Sequence, residues 1–206
     1  MRISLHNIKF GAVKLLSSSL PKKKYADIEY ITIPSMDFEG YNKFIIEDLY
    51  KYFETSHCLI VQADSFVIDS DLWKDEFLQF DYIGAPWSEK VHINSNLVLN
   101  MKKNCVDNGG FSLRSRKLVD ATKKINFNSL KFPINHEDVI ICHYLYEQML
   151  NDGICFASAE IASKFSLENV NNLYGQNENS VFGFHGKHLR NHFLKKYALR
   201  APIGEW

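Results

Sequence analysis

The sequence predicts an α/β sandwich with a largely parallel sheet, and two observations predict it. Apolar residues switch repeatedly between period two and a three-to-four-residue spacing, and each switch is punctuated by Pro, Gly or a capping Ser, Asp or Asn. No low-complexity linker or internal repeat interrupts this alternation, so one domain is predicted over residues 1–206, with 187–206 a basic C-terminal helix or tail.

The first element, "GAVKLLSS", reads as a short strand ending in serines, and "IEYITIP" alternates with period two until Pro34 stops it. Tyr41, Phe44, Ile45, Leu49, Tyr52 and Phe53 then share one face of a helix from about Asn42 to Glu54. "HCLIVQAD" is a buried strand whose last positions carry Gln62 and Asp64. Ser70 or Asp71 caps a short helix through Phe77, "FDYIGAPW" is a strand closed by a Pro turn, and "GGFSLR" is another strand. Ser115 is a natural N-cap for a helix with Leu118, Val119, Thr122 and Ile125 inward. Asn135 caps a further helix beginning at His136, whose stripe is Val139, Cys142, Tyr146, Met149 and Leu150, and Gly153 sits where it stops.

Lys+Arg and Asp+Glu are both 24, and this balance excludes a long-range electrostatic pull toward nucleic acid. Hydrophobic residues at 46% supply a packed core. Cys58, Cys105, Cys142 and Cys155 lie far apart without a C-x-x-C pair, which predicts reduced, buried thiols and no zinc ribbon. No run approaches the roughly 20 apolar residues that span a bilayer, and "MRISLHNIKFG" lacks a secretory core, so a cytoplasmic protein is predicted. The tail "GKHLRNHFLKKYALRAPIGEW" has two readings: a peripheral contact at an anionic inner membrane surface, or a solvated helix packed by Leu189, Phe193 and Tyr197.

In a parallel sheet, ligands bind beyond the carboxyl ends of the strands. Polar residues stand at such ends: Gln62 and Asp64, Asn108-Gly109-Gly110, Glu137-Asp138, and His185 between Phe184 and Gly186. Each has an ordinary structural reading when taken alone. Asp64 forms a turn, Asn-Gly-Gly is a turn, Glu137 and Asp138 suit a helix N-terminus, and His185 packs among aromatics.

Their order, however, resembles a known pattern. "QADSFV", "DYIGAPW", "NGGFSLRS", "HEDVIIC" and "FGFHG" together resemble a family of uncharacterised bacterial and viral proteins grouped with GT-A-fold glycosyltransferases, over roughly Phe10 to Gly186. The order is also similar to the β-1,3-galactosyltransferase and Fringe enzymes. The resemblance implies a GT-A-like, nucleotide-diphospho-sugar transferase fold, a three-layer sandwich on a mostly parallel mixed sheet. "ISLHNIKF" then matches the tail of the first helix and "GAVKLLSS" the second strand, so the first strand of that fold has no counterpart in residues 1–206, either because the reading frame starts late or because part of the base-binding wall is lost.

The resemblance further implies that Gln62-Ala63-Asp64 stands in place of a D-x-D motif, with Gln62 replacing its first acid. Asp64 and His185 are then metal ligands for Mn²⁺ or Mg²⁺, completed by diphosphate oxygens and water. Gln62, Asp64, Asn108, Gly109, Gly110 and Trp87 are the donor-binding residues: Gly109 and Gly110 open the backbone to a donor sugar, Asn108 reaches a hydroxyl, and Trp87 walls a sugar face or packs. Arg114 pairs with a core carboxylate. Asp138 is the catalytic base and Glu137 a donor-hydroxyl or structural ligand, roles that are exchangeable. The implied activity is metal-dependent inverting transfer of a sugar from a nucleoside diphosphate to a glycan or lipid-linked hydroxyl in surface polysaccharide assembly. Two alternatives remain: a catalytically degenerate glycan- or partner-binding domain, and a metal-dependent nucleotidyl- or phosphotransferase.

Overall fold

The computed structural model describes residues 3–6, 8–94, 97–101, 105–168 and 173–198. Strands β1 (Lys14–Ser17) and β2 (Glu29–Thr32) pair in parallel. Helix α1 (Phe38–Glu47) starts four residues before the sequence expectation, because the Asp37 carboxylate accepts the Gly40 N–H at 2.8 Å and overrides the helix-breaking tendency of that glycine. It ends at Glu47, and a single 3₁₀ turn, Leu49–Lys51, stands in place of the predicted run to Glu54.

The next strands are β3 (His57–Val61), β4 (Ser65–Val67), β5 (Tyr82–Ile83), β6 (Ala85–Pro86), β7 (Lys90–Asn94), β8 (Leu97–Asn100), β9 (Val106–Asp107) and β10 (Phe111–Ser115). The sheet departs from expectation: it is a set of small ladders, not one mostly parallel sheet. β10 runs antiparallel to both β3 and β5, β6 to β9, and β7 to β8. The reason lies in the connection. Returning parallel to β3 requires a crossover, usually a helix, and between β3 and β10 the described chain has, besides the short strands β4 to β9, no helix longer than the 3₁₀ turns at Ser70–Leu72 and Asp75–Gln79.

Period two in β3 still sorts its side chains. Cys58 and Ile60 pack toward Ile45 and Leu49 near α1 and toward Val119 of α2 (Arg116–Thr122). Leu59 and Val61 face the main core, where Phe111, Phe165 and Phe182 meet ring to ring at 5.3 to 5.9 Å. Covering both faces this way fixes the register, since a one-residue slip would exchange the two apolar sets. As expected, Ser115 caps α2 through the Leu118 N–H.

The predicted helix from His136 is broken into α3 (Glu137–Val139), a wide π turn at Ile140–Tyr144 with Leu145 N–H on the Ile140 carbonyl, and α4 (Tyr146–Asn151). Asn135 does not cap it; Asn42 of α1 accepts the Glu137 N–H at 2.7 Å instead. The wide turn inserts a residue into the helical period and so rotates α4 about its axis. Val139, Cys142 and Met149 are buried, whereas Leu150 emerges 40% exposed, off the stripe the sequence assigns it. Gly153 ends the segment at φ +77°.

Helix α5 (Ala159–Phe165), capped by Ser158, leads into β11 (Ser166–Leu167), which pairs in parallel with β12 (Gly183–His185); β12 also runs antiparallel to β4. Helix α6 (Lys187–Ala198) docks by Leu189 and Phe193 onto Phe66 and Phe184; the side chain of Tyr197, the third residue expected to pack, and residues 199–206 lie outside the described residues. Among the described residues no helix is long and apolar enough to cross a membrane. The cysteines are free, but only Cys142 is fully buried and Cys155 is exposed.

Candidate functional site

β3 ends at Val61, and Gln62 to Ser65 form a turn clamped to the start of β10. The Gln62 N–H donates to the Gly110 carbonyl at 2.9 Å, and the Ser65 hydroxyl lies within reach of the Gln62 and Gly110 carbonyls. Asp64 therefore leaves the sheet on a turn, and the β4–β12 register sets Ser65 opposite His185. The consequence is a contact: His185 Nε2 lies 3.4 Å from Asp64 Oδ1, with each side chain about one-fifth exposed.

β11 delivers a residue that the sequence reading misses. Leu167 pairs with Phe184, so the next residue, Glu168, meets the other side of the imidazole, Oε1 to Nδ1 at 3.3 Å. The second Glu168 oxygen accepts the Trp87 indole N–H. The signal is present in the sequence: "KFSLE" ends a short apolar strand on an acid, as "CLIVQAD" does. Burial lowers the His185 pKa, but the Glu168 hydrogen bond and the charges of Glu168, Asp64 and Asp138 outweigh it, and the net shift is upward. Asp64, Trp87, Lys90, Glu168, His185 and Lys187 line one cleft of about 550 Å³.

The Asn108 turn is fixed from within. Asn108 is buried at φ +77°, accepts the Gly110 N–H on its side-chain oxygen, and keeps a buried amide nitrogen without a partner among the described residues. The sequence reading leaves space over the two glycines for a sugar, yet protein side chains fill it. A Cβ on Gly109 would lie 1.7 Å from Glu137 Oε1, and one on Gly110 would lie 2.2 Å from His185 Nε2. Gly110 is thus the seat of the His185 ring. Gln62 turns from the cleft, its amide donating to the Tyr41 hydroxyl at 2.6 Å.

Glu137 and Arg114 form an ion pair at 2.8 Å with side chains only 3% and 1% exposed. Arg114 meets a core carboxylate, as its position in "GGFSLRS" suggests. Burial pushes the Glu137 carboxyl up to about 7 against the opposing charge of Arg114, while burial lowers Arg114 and Glu137, with Tyr82 and Tyr41, more than reverses that. A guanidinium does not release its proton in a protein, so Arg114 is a buried cation whose counter-charge is the Glu137 carboxylate in contact with it. Asp138 is half-buried and its two oxygens accept the Gly109 N–H at 2.8 Å and the Val139 N–H at 2.9 Å. Asp107, also missed, is fully buried behind this turn, and burial followed by the Asp138 charge holds its carboxyl well above the usual range.

The structure therefore brings Asp64, His185 and Trp87 into one cleft, and Asn108, Gly109, Glu137 and Asp138 into one cluster that touches it at Gly110. Among the described residues no group of three or more His, Cys, Asp or Glu is placed to hold a metal; Asp64 and His185 offer one oxygen and one nitrogen.

Among curated proteins, none matches the chain. A solved structure, a glycosyltransferase involved in the glycosylation of the major capsid of PBCV-1, is similar at 12% identity and a TM-score of 0.45, covering 90% of this chain and 99% of that one. The family model described as a protein of unknown function, DUF5672, matches residues 26–185, and the chain belongs to that family.

Proposed function

We propose that the chain is an inverting glycosyltransferase that moves a sugar from a nucleoside diphosphate to a glycan or lipid-linked hydroxyl, with Mn²⁺ or Mg²⁺ bound at Asp64 and His185. The observation that carries this reading is the meeting of Asp64 and His185, distant in sequence, at 3.4 Å in an open cleft beside the Asp138 turn. The donor set fits: a carboxylate oxygen and an imidazole suit Mn²⁺, and two protein ligands leave positions for a diphosphate. When bound, the cation offsets the negative charge that develops on the departing diphosphate.

The chain's own residues do the rest. Lys90 and Lys187 add positive charge to the same cleft, and Trp87, held by Glu168, supplies a wall. Asp138 takes the proton of the attacking hydroxyl, held in place by two backbone N–H groups. Glu137, committed to Arg114, fixes the turn that presents Asp138. Direct attack inverts the anomeric centre. Cytoplasmic placement and a role in surface polysaccharide assembly belong to the same reading.

The test is a thermal-shift screen of nucleoside diphosphate sugars with and without Mn²⁺, because a ligand that binds the native state raises the melting temperature by mass action. A cation-dependent rise with one donor is expected. No rise with any donor would favour a non-catalytic binding domain, the reading that Gln62 supports by turning to Tyr41 instead of supplying a second ligand.

A further inference from the structure

A second depression, of about 290 Å³, shares no lining residue with the Asp64–His185 cleft. Lys90 and Val91 of β7 line the cleft, and Leu97 of β8 lines the depression with Phe38, Glu39, Pro133, Asn135 and His136. Phe38, the first residue of α1, leaves 64% of its surface in water, although burying a phenylalanine stabilises a protein by about 1.5–3 kcal/mol. Its ring stands edge-on to His136 at 5.0 Å. We propose that this depression binds a sugar ring of the acceptor, an inference that rests on the glycosyl-transfer reading above.

Three observations support that occupant. The lining is mixed: Phe38, Leu97 and Pro133 offer apolar surface, while Glu39, Asn135 and His136 offer a carboxylate, an amide and an imidazole. A sugar ring has the matching character, an apolar C–H face bordered by hydroxyls. The two walls are braced by one buried residue. Asn42, 2% exposed, donates its amide to the Phe38 carbonyl at 2.6 Å and accepts the Glu137 N–H at 2.7 Å, so α1 and the start of α3 hold a fixed spacing. Last, Asn135 is three residues from Asp138, a separation the backbone spans in at most about 10 Å. A ring seated on Phe38 and Asn135 therefore lies within reach of the proposed base.

Ligand-observed saturation-transfer NMR with methyl glycosides of glucose, galactose, mannose and N-acetylglucosamine tests the subsite without requiring turnover. At least one glycoside is expected to bind the wild-type chain. Its affinity is expected to fall about tenfold or more in Phe38→Ala and in Asn135→Ala, the scale of one lost stacking or hydrogen-bonding contact. Leu150→Ala, an exposed apolar residue on α4 that does not line the depression, is expected to match wild type. Failure of every glycoside to bind wild type, or unchanged binding in both Phe38→Ala and Asn135→Ala, overturns the inference. The wild-type response to nucleoside diphosphate sugar and Mn²⁺ is read separately and decides the activity, so the two failures are distinguishable.

Discussion

Replacing Gly110 by alanine is expected to dismantle the cation site while leaving the fold intact. The added Cβ would lie 2.2 Å from His185 Nε2 and 2.3 Å from Cδ2. Ordinary contact requires the ring to retreat by about 1.2 Å. Any retreat pulls the ring off the contacts that hold it, Asp64 at one nitrogen at 3.4 Å and Glu168 at the other at 3.3 Å. Metal–ligand distances tolerate about 0.2 Å, and misplacing a group by about 1 Å costs on the order of 10²-fold. The folding cost is smaller, about 1 kcal/mol at the low end of overpacking, because the clash is with a side chain at a cleft wall. Gly109→Ala is the contrast: its Cβ strikes Glu137 Oε1 at 1.7 Å and Arg114 Nη2 at 2.9 Å. Displacing one member of that buried pair leaves a charge uncompensated, at about 3–5 kcal/mol. Urea unfolding reads the stability of each variant, and Mn²⁺ titration in the presence of a nucleoside diphosphate reads the site. Wild-type Mn²⁺ affinity in folded Gly110→Ala, or equal stability of the two variants, would refute the reasoning.

Asp138→Asn keeps an acceptor at the turn but not the base, so transfer is expected to fall about 10²–10⁴-fold with donor binding retained; full transfer removes Asp138 from the mechanism. Glu168→Gln preserves shape while removing the charge that orients His185, and a calorimetric loss of about 10–100-fold in Mn²⁺ affinity is expected; unchanged affinity argues that Glu168 only anchors Trp87. Glu178 is held below the ordinary glutamate value by Lys196 and then His192 of α6. A depressed carboxyl stabilises the folded state above its unfolded pKa and loses that contribution as pH falls through the lower folded value. Proteolysis of α6 should therefore quicken on acidification below the ordinary glutamate range, and less so in Glu178→Gln. Gln62→Glu places a further carboxylate near Glu137 and Asp138, whose charges already act on Tyr41, so a lower metal-free melting temperature is expected; an unchanged one shows that the amide is not needed there.

The features legible in the sequence are local. The strand at His57–Val61, the Ser115 cap and the Gly153 stop each depend on residues within a few positions of one another. The start of α1 escapes such a reading because a glycine in the first turn argues against a helix, whereas in the folded chain the Asp37 carboxylate decides. Sheet direction escapes it because direction is set by the connection, and short 3₁₀ turns look like a helix start until their length is known. The cap of α3 is unreadable, since its acceptor, Asn42, lies on another helix. Glu168 is readable as an acid at a strand end, but its partner is hidden for a related reason: only the β11–β12 register, which no periodicity encodes, turns it toward His185.

The two glycines show how far a motif reading carries. "NGG" reads as backbone opened for a ligand, and its neighbours in the motif order, Asp64, Glu137, Asp138 and His185, do converge around it. Yet the missing side chains make room for the protein's own groups. Gly109 admits the buried Glu137–Arg114 pair, which anchors α3 and so fixes Asp138, and Gly110 admits the His185 ring, which reaches Asp64. One dipeptide therefore couples the proposed base to the proposed cation ligands: any shift of this turn moves both. Rigidity at that point explains why its atoms are tied so closely, with Asn108 on the Gly110 N–H, Asp138 on the Gly109 N–H, and the Gly110 carbonyl taking both Gln62 N–H and the Ser65 hydroxyl. A ligand-sized opening at these glycines would remove the contacts that hold the two halves of the site in register.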